Sequence, residues 1–279
     1  MKLYTMLDKI KPQKGKDYKN LPAKILATFD IDTFLQSIKY DGNQIFIVKI
    51  GRSVNFYTSD WKPFSISIVA LELYLLEGDF LIVGEFMYDS LGKLGDRRKS
   101  AILTTYRTNY SKELCNNPSD EIKTNIKVFD FVELINERLV TNVRAEDRLK
   151  TATDKLVELE YLSIIQYTTI SGKEAKEHNA EIIRRGWEGT MVIDPDSFYE
   201  VGKRVNHAIK LKGRLSVDLL CIGTEQGEGK YEGMIGALIL TDSKGRRVSC
   251  GSGMNDADRL LPDTHYIGKV IEMFYEQIM

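Results

Sequence analysis

A chain of 279 residues, 43% hydrophobic and 28% charged, holds enough material for one large domain or two smaller ones. Its formal net charge of -1 excludes a globally basic nucleic-acid binder, so any phosphate-binding surface has to come from local clusters of Lys and Arg. Cys115, Cys221 and Cys250 are too scattered for a disulfide framework or a thiolate-held metal, no apolar run approaches bilayer length, and the amino end has no signal-like core. A reducing, cytoplasmic compartment is the expectation, the host cytoplasm if the source is viral.

Residues 9–19 mix lysine with Pro, Gly and Asp and read as a solvated basic arm, with contact to a DNA backbone as the sharper alternative. An apolar segment then ends in Lys39-Tyr40-Asp41-Gly42. On a strand, Lys39 and Asp41 would share one face, and Gly42 would let the backbone pass close to a ligand. The runs NQIFIVKIG and SVNFYTSDW read as two strands joined around Gly51-Arg52. Ile66, Val69, Leu73 and Leu76 have helical spacing over residues 65–76, and Gly78 follows as a stop. FLIVGEFMY is a buried strand interrupted by Gly84-Glu85, where a carboxylate needs a partner because burying it unpaired costs several kcal/mol, of order 2 to 7 for even a neutral polar group.

A helix is expected over 97–106, led by the basic cluster Arg97-Arg98-Lys99, and a strand from Ile122 carries Phe129-Asp130. Another helix spans 146–159. Ser171 and Glu174 form a capping box for a helix running to Arg185 and stopped by Gly186. Trp187-Glu188-Gly189-Thr190-Met191-Val192 repeats the pattern of a strand with a carboxylate beside a glycine. In AIKLKGR the alternation places Lys210 and Lys212 on one strand face. After Gly213 short strands are separated by GTEQGEGKYEG, DSKGRR and CGSG, the signature of a small β-barrel, with the hinge at 212–215. The last of those basic runs, residues 244–247, and the earlier ones predict salt-sensitive binding of nucleic acid.

Together, a lysine that can act as a neutral amine, carboxylates beside glycines, an aromatic-Asp pair and a Lys-x-Lys strand suit nucleotidyl transfer through a lysine phosphoramidate. In order and spacing these pieces resemble the covalent nucleotidyltransferases, and among them the ATP-dependent DNA ligases. Lys39-Tyr40-Asp41-Gly42 is similar to the nucleophile motif, Gly84-Glu85 to the third, Val128-Phe129-Asp130 to the adenine-stacking one, Glu188-Gly189 with Met191-Val192 and Asp194-Pro195 to the fourth, and Lys210-Leu211-Lys212 to the fifth. The segment GKYEGMIGALIL resembles the oligonucleotide-binding barrel of DNA ligases.

The resemblance implies an α+β fold: a nucleotidyltransferase (adenylation) domain of antiparallel sheets with flanking helices over 1–213, then an OB-fold barrel over 214–279 that lacks its last strand. It implies that Lys39 carries AMP, that Glu85 binds the ribose and shares Mg²⁺ with Glu188, that Phe129 stacks adenine, that Lys210 and Lys212 contact phosphates, and that Asp41 assists sealing. ATP and Mg²⁺ are the implied cofactors and nicked double-stranded DNA the implied partner. An RNA ligase, or a nick-binding module without catalysis, is the alternative. Three positions depart from the family pattern: Gln44 and Ser59 stand where arginines are usual, and Ile193 where a lysine is common. The carboxyl end stops at a strand resembling the one before the sixth motif. That predicts an edge exposing Ile271, Met273 and Tyr275, and a second polypeptide supplying the C-terminal motif.

Overall fold

Continuous apolar runs such as Ile45-Phe46-Ile47-Val48 require a strand covered on both faces, and the sheet that contains this run is built accordingly. The computed structural model describes residues 11–88, 90–93, 95–97, 123–213 and 215–275. Contacts divide it into two units, Met1–Gly213 and Arg214–Ile278.

In the larger unit the first strands are β1 (Lys14–Asp17), β2 (Thr33–Lys39), β3 (Asn43–Ile50), β4 (Ser53–Thr58), β5 (Pro63–Phe64) and β6 (Asp79–Tyr88). They are followed by β7 (Thr124–Ile135), β8 (Arg138–Leu139), β9 (Leu162–Ile164), β10 (Thr168–Ser171), β11 (Gly189–Ile193) and β12 (Arg204–Lys212). They form a five-stranded sheet, β1-β12-β11-β2-β10, and a larger sheet ordered β5-β4-β3-β6-β7-β8, with β9 beside β7. Pairing is antiparallel except for β1 with β12 and β7 with β9. One face of the larger sheet packs Ile45, Ile47, Phe80, Ile82, Phe86 and Phe131 against helices Ser67–Tyr74 and Ala145–Leu156; the other buries Phe46, Val48, Leu81, Val83 and Tyr199. Helix Gly172–Arg184 covers the five-stranded sheet through Ala175 and Ile182. Its Ser171–Glu174 capping box is formed, and Gly186 follows it at φ 87°.

Two expectations change here. Residues 14–17 are an edge strand paired in parallel with β12, with Lys14 opposite Arg204 and Asp17 opposite Lys210, and Tyr18–Asn20 form a short 3-10 turn, so the run from Lys14 onward is ordered against the sheet and not a free arm. Lysine and glycine disguise it because its partner lies far along the chain. Tyr40-Asp41-Gly42 is likewise not strand: β2 ends at Lys39 in one sheet, β3 begins at Asn43 in the other, and the tripeptide is the crossover between them. The helix expected over 97–106 and the residues Lys9, Arg98, Lys99 and Cys115 fall wholly or mostly outside the described residues.

The smaller unit is an antiparallel sheet of β13 (Leu215–Gln226), β14 (Ile235–Thr241), β15 (Arg247–Cys250) and β16 (Val270–Tyr275), ordered β15-β14-β13-β16. Leu219, Cys221, Ile235, Leu238 and Leu240 are its core, with Ile271 and Met273 packed against them. Among the described residues β16 is an edge strand, as expected, but the exposed side chains are not the expected ones: Val270 and Phe274 face outward at 66% and 56% exposure, whereas Ile271, Met273 and Tyr275 are half-buried. The alternation is right and the face is opposite, the consequence of a period of two. Arg259 is buried and donates to the carbonyls of Ile235, Gly236 and Gly251, with its guanidinium 4.2 Å from the Tyr231 ring centroid.

Candidate active site

The two sheets of the larger unit line a cleft of about 390 Å³, and the crossover 40–42 lies at its wall. Lys39, Asp41, Glu85, Phe129, Glu188, Lys210 and Lys212 all line it. So do Gln44, Ser59 and Ile193, the positions that depart from the family pattern.

Strand register explains the cation cluster. Gly189 at the start of β11 sits opposite Lys39 of β2 on one side and Lys212 of β12 on the other. Glu188, one residue earlier, therefore reaches both ammonium groups: it is ion-paired with Lys39 and lies 3.3 Å from Lys212 Nζ. Lys210 is two residues from Lys212 and so shares its face. Burial, then the charges of Lys39 and Lys212, hold its pKa below the usual lysine value.

The carboxylates on the other side are strained electrostatically. Burial pushes Glu85 up to about 7, against the pull of Lys39 and of the Gly42 N–H that donates to Oε1 at 3.0 Å, while Glu188 raises it further. Asp41, 5% exposed, is also raised by burial, offset by the Gly95 N–H donating to Oδ2 at 2.8 Å. An added cation would relieve both groups. Among the described residues no group of three or more His, Cys, Asp or Glu converges as a metal cage. Glu85 and Glu188 would have to share a metal with phosphate oxygens and water, the usual arrangement for Mg²⁺.

Phe129 is held from behind. Its carbonyl accepts from Tyr167 Oη at 3.0 Å, and the adjacent Asp130 receives a two-pronged clamp from Arg148, Nε to Oδ1 at 2.8 Å and Nη2 to Oδ2 at 3.1 Å. The side chains of this pair are 3% and 9% exposed, so the charges compensate each other inside the protein. Gln13 bridges the same carboxylate to the wall: Nε2 donates to Asp130 Oδ2 at 3.4 Å, Oε1 accepts from the Glu200 N–H at 3.0 Å, and its N–H donates to Tyr199 Oη at 3.3 Å. Sequence reasoning did not single out Gln13, Arg148 or Arg204, and it placed Lys14 only within a solvated basic arm. Arg204 was within reach, since carrying the β12 alternation backward from Lys212 through Lys210 puts it on the same face. A ring, a cluster of lysines and several carboxylates in one cleft suit a ligand with an aromatic base at one end and phosphates at the other.

Comparisons with known proteins agree with this geometry. Residues 12–212 match the family described as ATP dependent DNA ligase domain, and residues 226–278 match the DNA ligase OB-like domain. The DNA ligase of Thermococcus fumicolans is 27% identical over 277 residues, which is 90% of this chain and 47% of the relative. A solved Lig E DNA ligase, described as binding DNA with a minimal scaffold, superposes with a TM-score of 0.68 at 17% identity, covering 95% of this chain and 92% of that one. The ATP-dependent DNA ligase of bacteriophage T7, solved in complex with ATP, gives 0.54 at 17% identity, covering 98% and 95%. The chain spans under half the length of the Thermococcus relatives it matches.

Proposed function

This chain belongs to the ATP-dependent DNA ligase domain family, and from that membership we propose that its cleft takes ATP and seals nicked double-stranded DNA through a lysine-AMP intermediate. The observation that carries the reading is the convergence of Lys39 and Lys212 on Glu188 in a cleft also lined by Phe129 and Lys210.

In the first step Lys39 gives up a proton, Glu188 being the carboxylate in contact with Nζ, and the nitrogen lone pair forms a bond to the α-phosphorus. The bond from that phosphorus to the bridging oxygen breaks, and pyrophosphate leaves with the electron pair. An oxygen of the nick's 5′-phosphate next attacks the same phosphorus; the P–N bond breaks, Lys39 regains its proton, and AMP now caps the DNA end. Finally the 3′-hydroxyl oxygen attacks the 5′-phosphorus and loses its proton, and AMP departs. Phe129 offers its ring to adenine, Glu85 accepts from the ribose, and Lys210 and Lys212 offset phosphate charge. Asp41, beside the nucleophile in the crossover, serves the sealing step. Glu85 and Glu188 would hold Mg²⁺, which supplies charge neutralisation on the phosphates when bound.

Incubation with ATP labelled on its α-phosphate should place label on the protein and not on a Lys39→Ala variant, and nicked DNA should then take up the AMP. Equal labelling of the variant would sink the assignment. A chase with nicked RNA in place of nicked DNA tests the acceptor, with transfer to DNA the expected result.

A further inference from the structure

The cations lining the cleft have an uneven origin. Lys14, Lys39, Arg204, Lys210 and Lys212 all come from strands of the five-stranded sheet. Arg97 also lines the cleft, but it arrives from the segment that follows β6 of the other sheet. Its charge acts on Asp41 and on Glu85, which places it on the carboxylate side.

Its carrier is pinned to the nucleophile motif. The Asp41 N–H donates to the Gly92 carbonyl at 2.8 Å, and the Gly95 N–H donates back to Asp41 Oδ2 at 2.8 Å. Asp96 Oδ2 accepts from the Gly92 and Lys93 N–H groups, both at 3.0 Å. Gly92 has a φ of 79°, and a Cβ there would lie 2.7 Å from the Tyr40 ring and 2.1 Å from Met87 Sδ, so only glycine lets the segment lie this close to Tyr40. Lys93, the other cation among the described residues of the segment, is not among the cleft-lining residues; its Nζ lies 5.8 Å from the Trp187 ring centroid.

The proposed reaction swaps groups at one phosphorus. The AMP phosphate stays with Lys39 against the lysine-rich wall, while a second, heavily charged phosphate departs in one step and another arrives in the next. A second phosphate on the carboxylate side would face Asp41 and Glu85, which would repel it, and a planar guanidinium is the group suited to hold it there by paired hydrogen bonds. We propose that Arg97 binds the phosphate exchanged against Lys39: the pyrophosphate that leaves and the 5′-phosphate that arrives. This rests on the lysine-AMP reading, and it gives a function to a cation on the wall where Gln44 and Ser59 are neutral.

Equilibrium binding tests it without needing turnover. Wild type, Arg97→Ala, Arg97→Lys and Lys93→Ala are titrated with inorganic pyrophosphate, and with nicked duplexes bearing either a 5′-phosphate or a 5′-hydroxyl. Wild type should prefer the 5′-phosphate, and Arg97→Ala should lose about tenfold or more of that preference, of the pyrophosphate affinity, or of both, the size of one charge-assisted contact. The arm that falls names the source of the phosphate. Arg97→Lys should recover part of the loss and Lys93→Ala should match wild type. The proposal is overturned if Arg97→Ala retains both affinities, if Lys93→Ala loses as much, or if wild type itself does not distinguish the two nicks and ignores pyrophosphate. A failure of wild type to form the lysine adduct would strike the proposed function instead, and the binding contrast would still report on Arg97.

Discussion

The five-stranded sheet gives the cleft Lys14, Lys39, Arg204, Lys210 and Lys212, whereas the larger sheet gives it Gln44, Glu85, Phe129 and Asp130. The difference follows from how each sheet is covered. On β12 the cations Arg204, Lys210 and Lys212 alternate with the buried Val205, Ile209 and Leu211, so a cleft-facing cation can change without touching the core. On β6 and β7 both faces are packed, and a polar residue sits inside an otherwise apolar run with its partners supplied from elsewhere. The cationic wall should therefore separate activity from stability, and the carboxylate wall should couple them.

The largest effect tests the first half. Lys39→Ala should lower adduct formation by more than about a thousandfold, since it removes the bond-forming nitrogen, while leaving the urea midpoint within error of wild type. A matching loss of stability would blur the contrast between the walls. On the other side Arg148→Met leaves Asp130 buried without its counter-charge and should destabilise the fold by about 3 to 5 kcal/mol. The same variant should weaken ATP binding, because Asp130 adjoins Phe129 and receives Gln13. Urea melts and nucleotide titrations on one preparation read both, and a stable variant with normal affinity would contradict the coupling.

Glu85 offers a test by pH. Its carboxyl is raised from 4.5 to about 7 in the folded chain, so the native state holds that proton more tightly than the unfolded state does. The stabilising contribution is complete below the unfolded value and disappears as pH rises through about 7. Glu85→Gln keeps the shape without the titration. The stability of wild type relative to this variant should fall by up to about 3 kcal/mol between about pH 4 and about pH 8, because a tenfold difference in proton affinity between the two states is worth about 1.4 kcal/mol. Denaturant melts across that range check it, and a flat difference would show that the buried carboxylate is already compensated.

The smallest expected change probes β1. A Cβ on Gly15 would stand 2.7 Å from the Ala208 carbonyl oxygen, a backbone atom that cannot rotate away. Gly15→Ala should push β1 off β12 and cost about 1 to 3 kcal/mol, with a raised KM for ATP because Gln13 and Lys14 move with the strand. If KM stays put while stability falls, β1 is a structural strap and not part of the nucleotide wall.

What the amino-acid sequence by itself determined was the set of charged residues interrupting apolar strands. Lys39, Glu85, Glu188, Lys210 and Lys212 were legible because local alternation exposes such interruptions, and the Ser171–Glu174 cap because it spans one turn. The tertiary structure alone decided which wall each belongs to and what stands behind it. β1 joins β12 across almost the whole larger unit, Arg148 reaches Asp130 from a helix, and the Gly92–Gly95 contacts with Asp41 fold Arg97 back over the crossover. None of these pairings leaves a periodic trace, because each joins residues far apart in the chain whose local patterns are satisfied without it. The face presented by Val270 and Phe274 was assigned the wrong way round for a related reason: a strand alternates identically whichever side is buried, and only packing against Leu219 and Cys221 selects one.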